Sequence, residues 1–330
     1  MPSVSVIIPT RNRPLLLQRA IECALQQTFR QLEVVVVVDG PDPESERVLS
    51  ALAATESRVR VVVNRQNVGL AESRNIGVRH AKGRWMAFLD DDDEWFPDKI
   101  EKQLAAAEGL NSDSVLVVTR YLERRPEGDR VWPENLPAGV ERLSEYMFLR
   151  RGMLIPSTFL VSRALMLRVP FTPGLRYVED VDWLLRFGAE PEAKIAAVEE
   201  ACVMYYNLPN PSRESVIAPW RVSYDWSRRN RALFTDKSFA FFQAKVITTK
   251  AREAGASLRE LGGIYLTSVR MGCFSPHAAF YFVVSAIVPC ELKRKVRECF
   301  VRRARAARVP LRNDSVRVDS ASANRCEEEG

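Results

Sequence analysis

Residues 64–93 read NRQNVGLAESRNIGVRHAKGRWMAFLDDDD, and the order of elements within this stretch decides the fold. Leu70–Ala81 is helix-like, with Gly83 just past its end where a helix stop belongs. Trp85–Leu89 is a short, continuous apolar run, the pattern of a strand buried on both faces. Directly after it stand Asp90, Asp91, Asp92 and Asp93. Like charges at ~4 Å repel by several kcal/mol even at an effective dielectric of about 20, so the cluster needs either open water or a cation.

Working outward, the same alternation extends in both directions. Apolar, β-branched runs occur at Val4–Ile8, Leu32–Val38, Val59–Val63 and Ser114–Tyr121, separated by helix-like segments at Leu15–Gln27, Glu44–Ala53 and Asp98–Gly109. Repeated β-α-β units imply parallel strands joined by right-handed crossovers, hence an α/β fold with a mostly parallel sheet and helices on both faces. Ligands of such sheets bind at the carboxyl ends of the strands. Those ends carry Thr10, Arg11 and Asn12, then Asp39 and Gly40, then Asn64 and Asn67, then the aspartates. Any one polar end is ordinary loop composition, and it is their coincidence that points to a site.

Past Tyr121 the pattern breaks. The Pro/Gly-rich, charged segment 122–142 reads as a mobile surface excursion. Beyond it a helix is expected near Leu143–Leu149, a strand near Ser157–Val161, a helix led by Val178–Phe187, and two short strands at Lys194–Val198 and Cys202–Tyr206. Residues 207–219 are a loop by composition. From Trp220 to Arg308 the chain is mainly helical, and 313–330 reads as disordered. The expected division is an α/β domain over 1–215 in two halves, 1–121 and 122–215. A helical C-terminal region at 216–312 and the tail would follow.

The totals narrow the function. A chain of 330 residues, 46% hydrophobic and 27% charged, has ample core material. The six cysteines form no CxxC pair, so neither a disulfide framework nor a zinc knuckle is expected. The opening VSVIIPTRNRP is broken by Pro9, Arg11 and Arg13, and no apolar run reaches the ~18 residues of a span, so the expectation is a cytoplasmic protein. Histidine occurs only at His80 and His277, which makes a carboxylate the expected general base. Of the net +6, a local +7 falls between Glu291 and Arg312, where nine Lys or Arg face two acids. The apolar stretch SPHAAFYFVVSAIVP before it, followed by this basic run, reads either as an interfacial anchor on the inner face of a membrane or as a core helix and a solvated one. Nucleic acid is not expected, because no aromatic-basic platform accompanies the charge.

Strand-end side chains alternate, so Asp90 and Asp92 can share one side while Asp91 points away. Two such carboxylates suit Mg²⁺ or Mn²⁺ shared with phosphate oxygens; the alternative is that they simply favour the helix start that follows at Pro97 and Asp98. The ordered set VSVIIPTRNRP, VVVVDGP, NVGLAESRNIGVRHAKG, FLDDDDEW and YVEDVDW resembles the family 2 glycosyltransferases, from residue 3 to about 206. That resemblance implies the GT-A fold and sugar transfer from a nucleotide-sugar to a saccharide or lipid-linked saccharide acceptor. It implies that Asp39 receives the base, uracil if the donor is a UDP-sugar, helped by Thr10 and Arg11. Arg74 and Asn67 would face the nucleotide, Asp90 would approach the ribose, and Asp92, with Asp90, would hold the metal. It points to Asp180 as the base of an inverting transfer with Glu179 beside it. Asp182 is expected to pair with Arg186 at i+4 instead. Many relatives carry a histidine in the loop after the last core strands. YYNLPNPSRES has none, leaving Arg213 or Ser212 to contact the diphosphate or the loop only to close over the donor. A nucleotidyltransferase on a similar sheet and a non-catalytic nucleotide-binding scaffold are the rivals. The first would want a glycine-rich loop after the first strand, and PTRNRP lacks one.

Overall fold

The computed structural model describes residues 2–126, 128–138, 142–150, 152–207 and 219–288. The chain divides into a unit of Met1–Ala286 and a second of Ile287–Gly330; apart from Ile287 and Val288, only the first is described.

The alternating half runs β1 (Val4–Thr10), α1 (Pro14–Leu25), β2 (Leu32–Val38), α2 (Pro43–Thr55), β3 (Val59–Val63), α3 (Leu70–His80) and β4 (Trp85–Phe88). Pro14 and Pro43 sit in the first turns of their helices, where a missing N–H costs nothing. Asp42 caps α2 by accepting from the Ser45 amide at 3.1 Å. After β4 come β5 (Glu94–Trp95), α4 (Lys99–Ala107), β6 (Val115–Arg124), β7 (Arg130–Trp132), α5 (Leu143–Leu149), a 3₁₀ turn at Pro156–Thr158, β8 (Leu160–Ser162), α6 (Arg163–Arg168), α7 (Glu179–Gly188) and β9 (Lys194–Tyr206). The helical segment holds α8 (Trp220–Arg229), α9 (Asp236–Phe241), a π turn at Phe242–Ile247, α10 (Thr248–Glu253), α11 (Leu258–Arg270) and α12 (Pro276–Ile287).

The main sheet order is β3-β2-β1-β4-β8-β6-β9-β5, with β7 on the flank of β6. The first four strands are parallel, as the repeat requires. β8 is antiparallel to both β4 and β6, β9 is parallel to β6, and β5 is antiparallel to β9. Alternate residues of β1 and β2 feed two cores. Ile7, Val35 and Val37 face α3, α6, α7 and the C-terminal helices, while Val6, Ile8, Val34 and Val36 face α1, α2 and α4. The helices therefore cover both faces, as expected.

Where α3 crosses β1, Gly77 allows an approach no side chain would permit. A Cβ there would stand 2.4 Å from Ile7 Cγ2. That proximity sets Arg74, one turn earlier on α3, against the carboxyl end of the sheet.

Three local expectations are corrected. The segment 122–142 is not a simple excursion, because β6 continues to Arg124 and pairs antiparallel with β7, Tyr121 opposite Trp132. Its Pro126 and Gly128 are turn residues of a hairpin, Gly128 at φ +115. The two short strands after α7 are one strand, β9, whose register against β6 shifts between Thr119 and Tyr121, so a bulge interrupts the apolar pattern. The strand near Ser157 begins only at Leu160, because Pro156 opens a 3₁₀ turn that aims Ser157 at the aspartate cluster.

Candidate active site

The four aspartates follow β4 in a turn closed by the Asp93 amide on the Asp90 carbonyl at 3.1 Å. Their burial alternates. Asp91 and Asp93 are 5% and 1% exposed, whereas the side chains of Asp90 and Asp92 each keep 27%. The buried pair has dedicated partners. Thr10 Oγ1 donates to Asp91 Oδ2 at 2.7 Å, and Arg13 Nη1 donates to Asp91 Oδ1 at 2.9 Å. Burial pushes the Asp91 carboxyl up to about 6, with Arg13 and Thr10 opposing it. Ser157 donates its hydroxyl to Asp93 Oδ2 at 2.5 Å and accepts the Asp90 amide at 3.2 Å. With Asp91 and Asp93 anchored inward, Asp90 and Asp92 are turned toward the open side.

Arg74 joins this turn to the other acidic motif. It is wholly buried, with Nη2 on Asp90 Oδ1 and Nη1 on Asp180 Oδ1, both at 2.7 Å. Its guanidinium lies over the Phe171 ring, 5.2 Å from the centroid, while Nε has no hydrogen-bond partner. Its neighbours in the SRN triplet explain the placement. Asn64 Nδ2 donates to Ser73 Oγ at 3.3 Å, and Asn75 holds Phe171 by accepting its amide at 3.0 Å and donating to its carbonyl at 2.9 Å. Two carboxylates far apart in sequence therefore share one cation. The Arg74 guanidinium lies inside this bridge.

Glu179 and Asp180 open α7, whose N-cap Val178 follows Tyr177, a non-glycine residue at φ +72. Glu179 Oε2 is buried without a hydrogen-bond partner. Burial, then the adjacent Asp180 charge, pushes the Glu179 carboxyl up to about 7, with Arg74 opposing. Burial raises Asp180 as well, Arg74 pulling it down and Asp90 pushing it up. Asp182 points away from this group, as expected. It accepts from Arg186 Nε at 2.8 Å, Thr172 Oγ1 at 2.7 Å and Trp226 Nε1 at 2.9 Å, tying α7 to α8.

At the neighbouring strand ends, Asp39 is bound by the β3–α3 loop: Oδ1 accepts from the Val68 amide at 2.8 Å and Oδ2 from the Gly69 amide at 3.0 Å. Asn67, in the same loop, has a buried Oδ1 without a hydrogen-bond partner. Gly40 lets this loop approach, since a Cβ there would meet the Asn67 amide nitrogen at 3.1 Å. Arg11 is exposed, and Asn12 beside it takes φ +55 while donating its amide to Asp42 Oδ2 at 2.6 Å.

Among the described residues no cluster of three or more His, Cys, Asp or Glu side chains could cage a metal. Asp90 and Asp92 are the two part-exposed carboxylates of the turn, Asp92 Oδ2 lying 3.5 Å from Arg13 Nη1, and a pair of this kind suits Mg²⁺ or Mn²⁺ when phosphate and water complete the shell. Arg74 takes only Oδ1 of Asp90.

Arg13, Ser157 and Phe171 were missed in the sequence. Arg13 stands in the quoted opening, three residues past Thr10, and its charge was the available signal; Ser157 and Phe171 offer none. Ser212, Arg213 and most of the 207–219 loop lie outside the described residues, as do the basic run 291–312 and the tail. His80 is exposed. The described cysteines, Cys23, Cys202 and Cys273, are free, and no described helix is long and apolar enough to cross a membrane.

Residues 5–169 match the family model for glycosyl transferase family 2. An uncharacterised glycosyltransferase of Haemophilus influenzae is 32% identical over 205 residues, 57% of this chain and 63% of that protein. The putative teichuronic acid biosynthesis glycosyltransferase TuaG of Bacillus subtilis is 36% identical over 103 residues, 31% of this chain and 41% of TuaG. The chain thus spans less than two thirds of these relatives. The crystal structure of S. aureus TarS 1–349 in complex with UDP-GlcNAc superposes with a TM-score of 0.60 at 17% identity, covering 92% of each chain, which establishes a shared GT-A-like fold.

Proposed function

The chain belongs to glycosyl transferase family 2, and from that premise we propose that it moves a sugar from a nucleotide-diphospho-sugar, a UDP-sugar in the first instance, to an acceptor hydroxyl with inversion. The observation that carries this reading is the Arg74 bridge, which brings the acids after β4 and those opening α7 into one group. A transferase needs that pairing, with a pyrophosphate-binding edge on one side and a proton acceptor on the other. The UDP-GlcNAc complex of the TarS fold neighbour supports the choice of donor, and TuaG supports an acceptor of the surface-polysaccharide class.

In this reading Asp90 and Asp92 would hold Mn²⁺ or Mg²⁺, and the ion would supply positive charge to the departing nucleoside diphosphate. Thr10, Arg11, Asp39 and Asn67 line the nucleotide end, Asp39 also keeping the β3–α3 loop in place. Asp180 takes the proton of the attacking hydroxyl. A carboxyl raised by burial is a better base than a free one, and the Arg74 contact fixes its orientation. Glu179, raised to about 7 by burial and the Asp180 charge, holds its proton more readily than an ordinary carboxyl would. Arg74 thereby holds the base and the donor edge at a fixed separation.

The test is nucleotide-sugar turnover by the full chain with and without Mn²⁺, using a panel of donors and following nucleoside diphosphate release. Asp180→Asn is expected to lower the rate by about 10³-fold or more while leaving donor binding within a few-fold. Release of pyrophosphate from a nucleoside triphosphate and a sugar phosphate would replace this reading with a nucleotidyltransferase.

A further inference from the structure

α12 contains no charged residue, and neither does the turn before it, so Met271–Val288 is uncharged throughout. Only one face of the helix is covered. Ala278 and Ser285 are buried, Tyr281 packs on Phe241 with ring centroids 4.9 Å apart, and Phe282 stacks on Tyr265 of α11 at 4.7 Å. The opposite face carries Phe280 and Val283, 63% and 50% exposed, three residues apart and therefore side by side. The preceding turn adds Phe274 at 62%, and α11 adds Leu266 at 49%, one residue past the stacked Tyr265. Scattered exposed apolar residues mean little, but several on one helix face and on the helix packed against it by the Tyr265–Phe282 stack mark a candidate contact surface.

Basic groups stand at its margin. Met271, at the end of α11, shares an open concavity of about 370 Å³ with Arg228, Arg229 and Asp225 of α8. Arg228 and Arg229 are exposed. Along the sequence, α12 runs directly into the segment from Glu291 to Arg312 with its nine basic and two acidic residues. Apolar side chains beside cationic ones are what a bilayer with anionic headgroups recognises: the first enter the acyl boundary and the second meet phosphate. A second copy of this chain would present the same positive charge and repel. Among the described residues no helix is long and apolar enough to cross a bilayer, so an apolar helix face such as that of α12 would act at the interface.

We propose that the α11–α12 face, with Phe280 and Val283 at its centre and the Arg228–Arg229 concavity at its edge, docks on an anionic lipid bilayer. This stands independently of the transferase reading, because it concerns where the chain sits and not what it transfers.

The test is co-sedimentation of the full chain with vesicles of phosphatidylcholine alone or with about 30 mol% phosphatidylglycerol. The wild type is expected to partition at least ~10-fold more strongly onto the anionic vesicles, the preference fading at high salt. Phe280→Ser with Val283→Ser, and separately Arg228→Glu with Arg229→Glu, are each expected to lower that partition by ~10-fold or more, with circular dichroism and nucleotide binding unchanged. The arginine pair is exposed and keeps the test decisive should the serine pair misfold. Three results would overturn the proposal: no binding of wild type to either vesicle, undiminished binding by the folded variants, or a solution dimer that Phe280→Ser with Val283→Ser abolishes.

Discussion

Arg74 is the residue on which the site turns. A buried guanidinium with two carboxylates at 2.7 Å cannot be removed without leaving both acids uncompensated. Arg74→Met is expected to lower stability by about 3 kcal/mol, measurable by urea unfolding. Arg74→Lys keeps the charge but has one point donor in place of a fork, so it is expected to retain most of the stability and lose ~10²-fold or more in rate. Glu179 gives a prediction with a pH sign. Its native value of about 7 lies above its ordinary 4.5, so the native state favours the proton. The protonated form contributes stability fully below about 4.5, and this is lost as pH rises through about 7. Glu179→Gln is therefore expected to be more stable relative to wild type at pH 8 than at pH 4. The rate should rise with pH through the coupled titration of Glu179 and Asp180, and Glu179→Gln should move that inflection downward, because Asp180 loses a negative neighbour.

At the scale of elements, two close packings position these side chains. α3 lies on β1 only because Gly77 has no side chain, and Gly77→Val would drive atoms into Ile7. The expected cost is about 1–3 kcal/mol in unfolding, with a loss of activity beyond what the loss of folded protein explains, since the helix carries Arg74 with it. On the other face, α4 is pinned by Lys99, wholly buried, its ammonium 4.0 Å from the Trp95 ring centroid and donating to Gln103 at 2.6 Å. Burial pushes Lys99 down to about 7, so the unfolded chain binds more protons between pH 7 and 10. Wild type should accordingly gain stability relative to Lys99→Met across that interval, read from melting temperatures at each pH. The parallel strands and their helices were legible in the sequence because each is a run of local pattern. β5, β7 and the continuity of β9 were not. β5 has only Glu94 and Trp95, β7 lies in a segment whose Pro126 and Gly128 look like loop, and the β9 bulge breaks an alternation that is otherwise plain.

For the molecule as a whole, the acids of the site and Arg74 were legible as motifs, while the bridge that joins them was not. Nothing in the order of residues says that Arg74 reaches Asp180 across 106 positions, or that Ser157 reaches Asp93 across 64, since only the folded sheet brings strand ends together. Arg13 belongs to the same class, its pairing with Asp91 spanning 78 positions. The account's central claim is that these distant groups form one metal-assisted site for a nucleotide diphosphate. It is tested most directly by the thermal shift that UDP produces in wild type and in Asp92→Asn, with and without Mn²⁺. The predicted result is a rise of several degrees for wild type with Mn²⁺ at about 100-fold excess over Kd, and little or none for Asp92→Asn. Equal shifts in the two proteins, or no shift by any nucleotide under either condition, would contradict it.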